Sequence, residues 1–252
     1  MNLSNYFDVS RFWLLLKLEG FRSRKGLLMT FVITFGMLFW VGLLLGTFIE
    51  MPKVYDAHPA TYAFSLILGG FVLSSLTFPD LGNNLRRPGY LSLPASTLEK
   101  FVCMWLLSSV AWILLFTLAF TAYTWVANPI GQLLFSRVRF EAFDPLGPVA
   151  VSSMKYYFVL QGVFLAGATH FRAYVLPKTL FVLILFATLC SVLAYFVMGD
   201  LVHVDEAYFA DPKALKEMPV YRFWLLAKWL FWWVLAPLCW VISYWGLKEA
   251  EV

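Results

Sequence analysis

From Phe101 to Val126 the chain carries no charged side chain. As an α-helix at about 1.5 Å per residue, that run is about 39 Å long. The hydrocarbon core of a bilayer is about 30 Å thick, so the run is long enough to cross it. Lipid then dictates helix, because every backbone polar group must be satisfied within the segment. Five more runs share this character: 26–48, 60–78, 153–171, 179–198 and 223–245. The run 153–171 is the weakest, since it holds Lys155 and Gln161, and 223–245 is tryptophan-rich with Lys228 near its start. Composition agrees, with 61% hydrophobic and 13% charged residues against about 45–50% and about 25% in soluble domains. The alternating pattern of a membrane barrel is absent. The expectation is an all-α integral membrane protein: one domain, 1–252, with six transmembrane helices.

Basic residues set the orientation. With the N-terminus inside, the inner segments hold Arg11, Lys17, Arg22, Arg24, Lys25, Arg86, Arg87, Lys100, Arg172, Lys178 and Lys248 of the chain's 19 Lys and Arg. The bias is modest, but the cluster Arg22–Lys25 lies tight against the first span. Both termini are expected in the cytoplasm. "MNLSNYFDVS" opens with an acid rather than with lysines and precedes no small-residue cleavage site, so the first span is expected to stay in the fold. Residues 10–25, rich in Phe, Trp and Leu and then basic, are read as an interfacial helix on the inner leaflet. The alternative is a plain extension of the first span. Outside, "SRVRFEAF" alternates like a short strand, and 199–222 is expected to hold a short helix capped by Asp211.

The chemistry of bond-making has no visible carrier. There is no phosphate-loop motif, no H-E-x-x-H and no nucleophile elbow. Cys103, Cys190 and Cys239 lie in apolar runs without metal-ligand spacing and read as packing residues. Lys155 and Lys228 sit near outer helix ends, where long side chains reach the headgroups. Gln161 is the polar side chain nearest mid-membrane. It either lines a pathway or bonds a neighbouring helix. Gly42 and Gly46, in "GLLLG", offer a close-approach surface within one subunit or between two.

The segment 79–100 interrupts this apolar order with "LRRPGYLSLPASTLEK". Pro88-Gly89 and Pro94 punctuate it, and Ser96 with Glu99 has capping-box spacing for a following helix. Leu91, Leu93 and Leu98 could fill a pocket, while Arg86, Arg87 and Lys100 could face acidic groups. On its own residues the segment reads equally as a docking element or as a solvated loop. "GYLSLPASTLEKF" (89–101) resembles the first cytoplasmic loop of the permease subunits of bacterial ABC transporters of the type-2 exporter class. "THFRAYVLPKTL" (169–180) resembles their basic turn between spans four and five, and "YWGLKEAEV" (244–252) their cytoplasmic end.

The resemblance implies a permease working as a dimer in the bacterial inner membrane, beside an identical or paralogous second permease subunit. It implies that 79–100 is a coupling loop docked on a separate cytoplasmic ATP-binding subunit, which alone binds ATP and Mg and hydrolyses ATP. This chain is then no enzyme and holds no cofactor; its other partner is membrane lipid, with no nucleic acid. A non-transporting membrane assembly or scaffold subunit of the same fold is the alternative.

Overall fold

A computed structural model describes residues 7–48, 54–82, 85–136, 138–199 and 219–251. The described residues are almost wholly helical. Helix α1 spans Val9–Phe48, followed by strand β1 (Val54–Tyr55) and helix α2 (His58–Ser75). A 3₁₀ turn at Pro79–Gly82 leads to the five-residue α3 (Arg87–Leu91) and then α4 (Thr97–Leu106). A π-helical turn, Leu107–Ala111, joins α4 without a break to α5 (Trp112–Leu134). Strand β2 (Arg139–Phe140), α6 (Pro148–His170) and α7 (Val175–Gly199) follow. Helix α8 (Pro219–Leu230) continues through a second π turn into α9 (Ala236–Glu251).

Among the described residues five helical stretches are long and apolar enough to cross a membrane: Leu27–Phe48, Thr97–Leu134, Pro148–His170, Val175–Leu193 and Trp224–Ala250. By the length and hydropathy of its helices this is a multi-pass membrane protein. The sixth expected run folds as α2, whose 18 residues reach about 27 Å. It is shorter and carries His58 and Pro59 in its first turn.

Side-chain contacts give the helix directions. Phe31 stacks on Trp112 and Phe35 on Tyr123, so α1 runs alongside α4–α5 in the same sense. Trp112 Nε1 donates to the Leu66 carbonyl and Tyr62 packs on Phe120, so α2 runs against them. Phe71 stacks on Phe164 at 4.0 Å, and Tyr156 meets Trp232 while Gly162 meets Trp240. Hence α2, α6 and α8–α9 all run one way. Thr179 lies against Gly167, so α7 starts where α6 ends. Every basic segment assigned above to the inside that the structure describes gathers at one end, called here the basic end.

Two clusters form the core. One, toward the opposite end, is aromatic and centred on Tyr62, Trp112, Phe116 and Phe120. The other, at the basic end, joins Phe78, Tyr90, Met104, Leu165 and Leu247. Gly70 makes the tightest approach, since a Cβ there would collide with the Tyr157 ring. Helix α7, by contrast, is apolar and exposed nearly all round, as a lipid-facing span must be.

The separate interfacial helix at 10–25 is not formed. Those residues continue the first span, and α1 is one rod of 40 residues, about 60 Å long. The reason is its inward face: Leu15 and Glu19, one helical turn apart, are 7% and 6% exposed because they pack on protein. Lys17 points away, its Nζ 5.4 Å from the Trp13 ring centroid. The strand-like 139–140 does pair, in parallel, with β1, Val54 opposite Arg139 and Tyr55 opposite Phe140. The short helix expected within 199–222, with its Asp211 cap, lies outside the described residues.

Candidate functional site

The segment between α2 and α4 is built by local rules and then tied down by distant ones. Ser96 is extended and its side chain accepts a hydrogen bond from the Glu99 N–H. Glu99 returns the bond, accepting the Ser96 N–H at 2.8 Å, which completes the capping box. The other Glu99 oxygen reaches across to α1. It accepts the Asp8 N–H at 2.6 Å and lies 3.3 Å from Arg11 Nη2. Glu99 is fully buried. Such a carboxylate is stable only because at least three donors surround it.

Two more ties fasten the segment. Asp80, in the 3₁₀ turn, takes Arg22 of α1 in a two-pronged pair, with N–O distances of 2.8 and 3.1 Å. Arg87 Nη2 donates to the Ala250 carbonyl in the last turn of α9 at 3.1 Å. Tyr90 is buried, edge-on to Phe78. The start of α1, the end of α2, the start of α4 and the end of α9 therefore meet on one short segment.

The structure divides the sequence-predicted loop residues into two groups. Arg86 and Pro94 are exposed and Leu98 is 38% exposed, so these face outward at the basic end. Leu93 is half-buried against the lower core cluster, while the side chain of Leu91 lies outside the described residues. Ser96 and Glu99 work internally. Lys100 corrects the sequence reading: it is 1% exposed, with Nζ 5.8 Å from the Tyr90 ring centroid, so it presents no charge to a partner. Arg87 is half-buried and held by α9. Sequence reasoning missed Asp8, Arg11, Arg22 and Asp80 as ties. An acid directly after an apolar run, as at Asp80, was the only local signal.

Gln161 bonds a neighbouring helix, and a small buried polar node surrounds it. Its Nε2 donates to Ser108 Oγ at 2.9 Å, and Ser108 Oγ donates in turn to the Met104 carbonyl at 2.8 Å. The Tyr157 hydroxyl donates to the Ser108 carbonyl and lies 3.3 Å from Ser74 Oγ. That Ser108 carbonyl lies within the π turn Leu107–Ala111. Among the described residues Gln161 Oε1 accepts no hydrogen bond.

Among the described residues no atom lies within 4 Å of a Cβ built on Gly42, so they make no close approach at that glycine of "GLLLG". At the opposite end His58 Nε2 donates to Asn128 Oδ1 at 2.8 Å, and Asn128 Nδ2 donates to the Glu141 carbonyl. Among the described residues no group of His, Cys, Asp and Glu could hold a metal ion. Compared with protein-family models, curated proteins and solved structures, the chain has no significant match.

Proposed function

We propose that this chain is the membrane-spanning permease subunit of an ATP-driven exporter of the ABC type-2 class, in the bacterial inner membrane. It crosses six times, α2 included, with the basic end and both termini in the cytoplasm. Two permease subunits form the path, and a separate ATP-binding subunit docks on the exposed face around Arg86, Pro94 and Leu98. One observation carries this reading. The segment that presents those residues is fastened to α1 by Glu99 and Asp80 and to α9 by Arg87. A push on it acts on the first and the last helix at once. A merely solvated loop needs no such ties. The chain itself contributes a path and a lever, and breaks no bond.

The test is to express the chain with a candidate ATP-binding subunit, a neighbouring gene product that carries a phosphate-loop motif, and measure pull-down and ATP turnover. Arg86→Glu combined with Leu98→Asp should weaken both, with the Arg86 effect larger at low salt. If the complex stays intact and fully active in the double variant, the docking face is wrong. If the complex forms but no substrate changes its turnover, the scaffold alternative replaces transport. Topology is checked separately in a variant lacking native cysteines: Asp56→Cys should label from outside, and Gly89→Cys only from inside.

A further inference from the structure

Beneath the Arg22–Asp80 pair lies a cavity of about 410 Å³, enclosed by α1, the end of α2 and the α4–α5 rod. That is within the range of small-molecule pockets, about 300–1,000 Å³. Its depth is apolar, lined by Leu27, Leu73, Met104 and Trp112. Leu76 and Leu115 line it too and are 61% and 46% exposed, so it communicates with the lipid-facing flank.

The rim at the basic end is charged, by Glu19, Arg22, Asp80 and Arg86. The two acids and two arginines cancel and Arg86 is exposed to solvent, so selection there rests on which buried group lacks a hydrogen bond. Asp80 has both oxygens on Arg22. Glu19 does not: it is 6% exposed, its Oε1 accepts no hydrogen bond among the described residues, and Arg22 Nη1 stands 3.9 Å away. That distance is too long for a hydrogen bond. Burial pushes the Glu19 carboxyl above its ordinary pKa, Arg22 opposes this, and Asp80 adds to the rise. Beside it, a Cβ on Gly20 would meet nothing within 4 Å. A buried carboxyl with open space in front of it is completed by a donor from outside.

We propose that this cavity binds an amine-bearing amphiphile. Its ammonium donates to Glu19 Oε1, and its chain lies along Leu73, Met104 and Trp112. A lipid with an ethanolamine head and a free hydrophobic amine share this chemistry. The site stands whether or not an ATPase docks on the chain.

The probe is tritiated dodecylamine, with dodecanol in parallel, bound to the full chain in maltoside micelles. The wild type should bind both saturably above the micelle background. Glu19→Gln should weaken dodecylamine at least about tenfold, ~1.4 kcal/mol, and leave dodecanol unchanged. Gly20→Leu, which fills the cavity from its own wall, should lower both. If Glu19→Gln, monodisperse on gel filtration, binds dodecylamine like the wild type, the proposal is wrong. Absence of saturable binding to the wild type, or full binding by Gly20→Leu, overturns it equally. Competition by nanodiscs containing phosphatidylethanolamine, but not by phosphatidylcholine discs, identifies a lipid as the occupant. Binding that neither disc displaces identifies a free amine.

Discussion

Removing Glu99 tests whether the basic end is latched. Glu99→Ala deletes half of the capping box, the bond from the Ser96 N–H, worth about 0.5–1.5 kcal/mol, while Ser96 still accepts the backbone N–H at 99. It also deletes the bonds from the Asp8 N–H and Arg11, and hydrogen bonds to a charged group contribute about 1.5–3 kcal/mol each. The Arg11 side chain is 41% exposed, so solvent screening takes most of its share. The net cost is about 2–4 kcal/mol, concentrated where α1 meets α4. Cys103 reports on that contact, being fully buried one turn beyond Glu99. In a background with Cys190→Ser and Cys239→Ser, maleimide labels Cys103 only when the contact opens. If opening is fast, the labelling rate follows its free energy, and about 3 kcal/mol raises it roughly 10²-fold. Arg11→Ala should raise it less, and Glu99→Gln should fall between. A Glu99→Ala rate within threefold of wild type would refute the latch.

Gly70→Ala should lower the thermal midpoint by an amount matching about 1–3 kcal/mol of overpacking against Tyr157. Gly36→Ala, where a Cβ meets nothing, should not. Gly42→Leu leaves the chain's own packing open, so loss of subunit crosslinking in that variant, with insertion intact, would assign "GLLLG" to a subunit contact. The folded chain holds a proton on Glu19 more tightly than the unfolded chain does. Its contribution to stability is therefore full below the ordinary carboxyl pKa and lost as pH rises through the raised one. Unfolding midpoints measured across that window should decline more steeply for wild type than for Glu19→Gln; parallel curves would refute the assignment.

What the linear chain determined was whatever depends on neighbours in sequence. Charge-free runs specify helices, because lipid offers the backbone no other partner. Ser96 and Glu99, three apart, form the predicted capping box. The alternation at 136–143 yields a pairing strand at its centre. Partners far apart in sequence were decided only by the fold. Glu99 looked complete with Ser96, yet its second oxygen holds Asp8 and Arg11, some 90 residues away. Lys100 read as a surface charge because lysine usually is one, but packing against Tyr90 encloses it. Residues 10–25 read as an interfacial helix because they are rich in Phe, Trp and Leu, then basic, and too charged to span. The matching acids sit on α2's exit turn and on α4, and once Asp80 and Glu99 meet Arg22 and Arg11 the rod has no reason to bend. Local pattern carries periodicity and caps; it carries no record of which distant group arrives to neutralise a charge, and that arrival shaped the basic end.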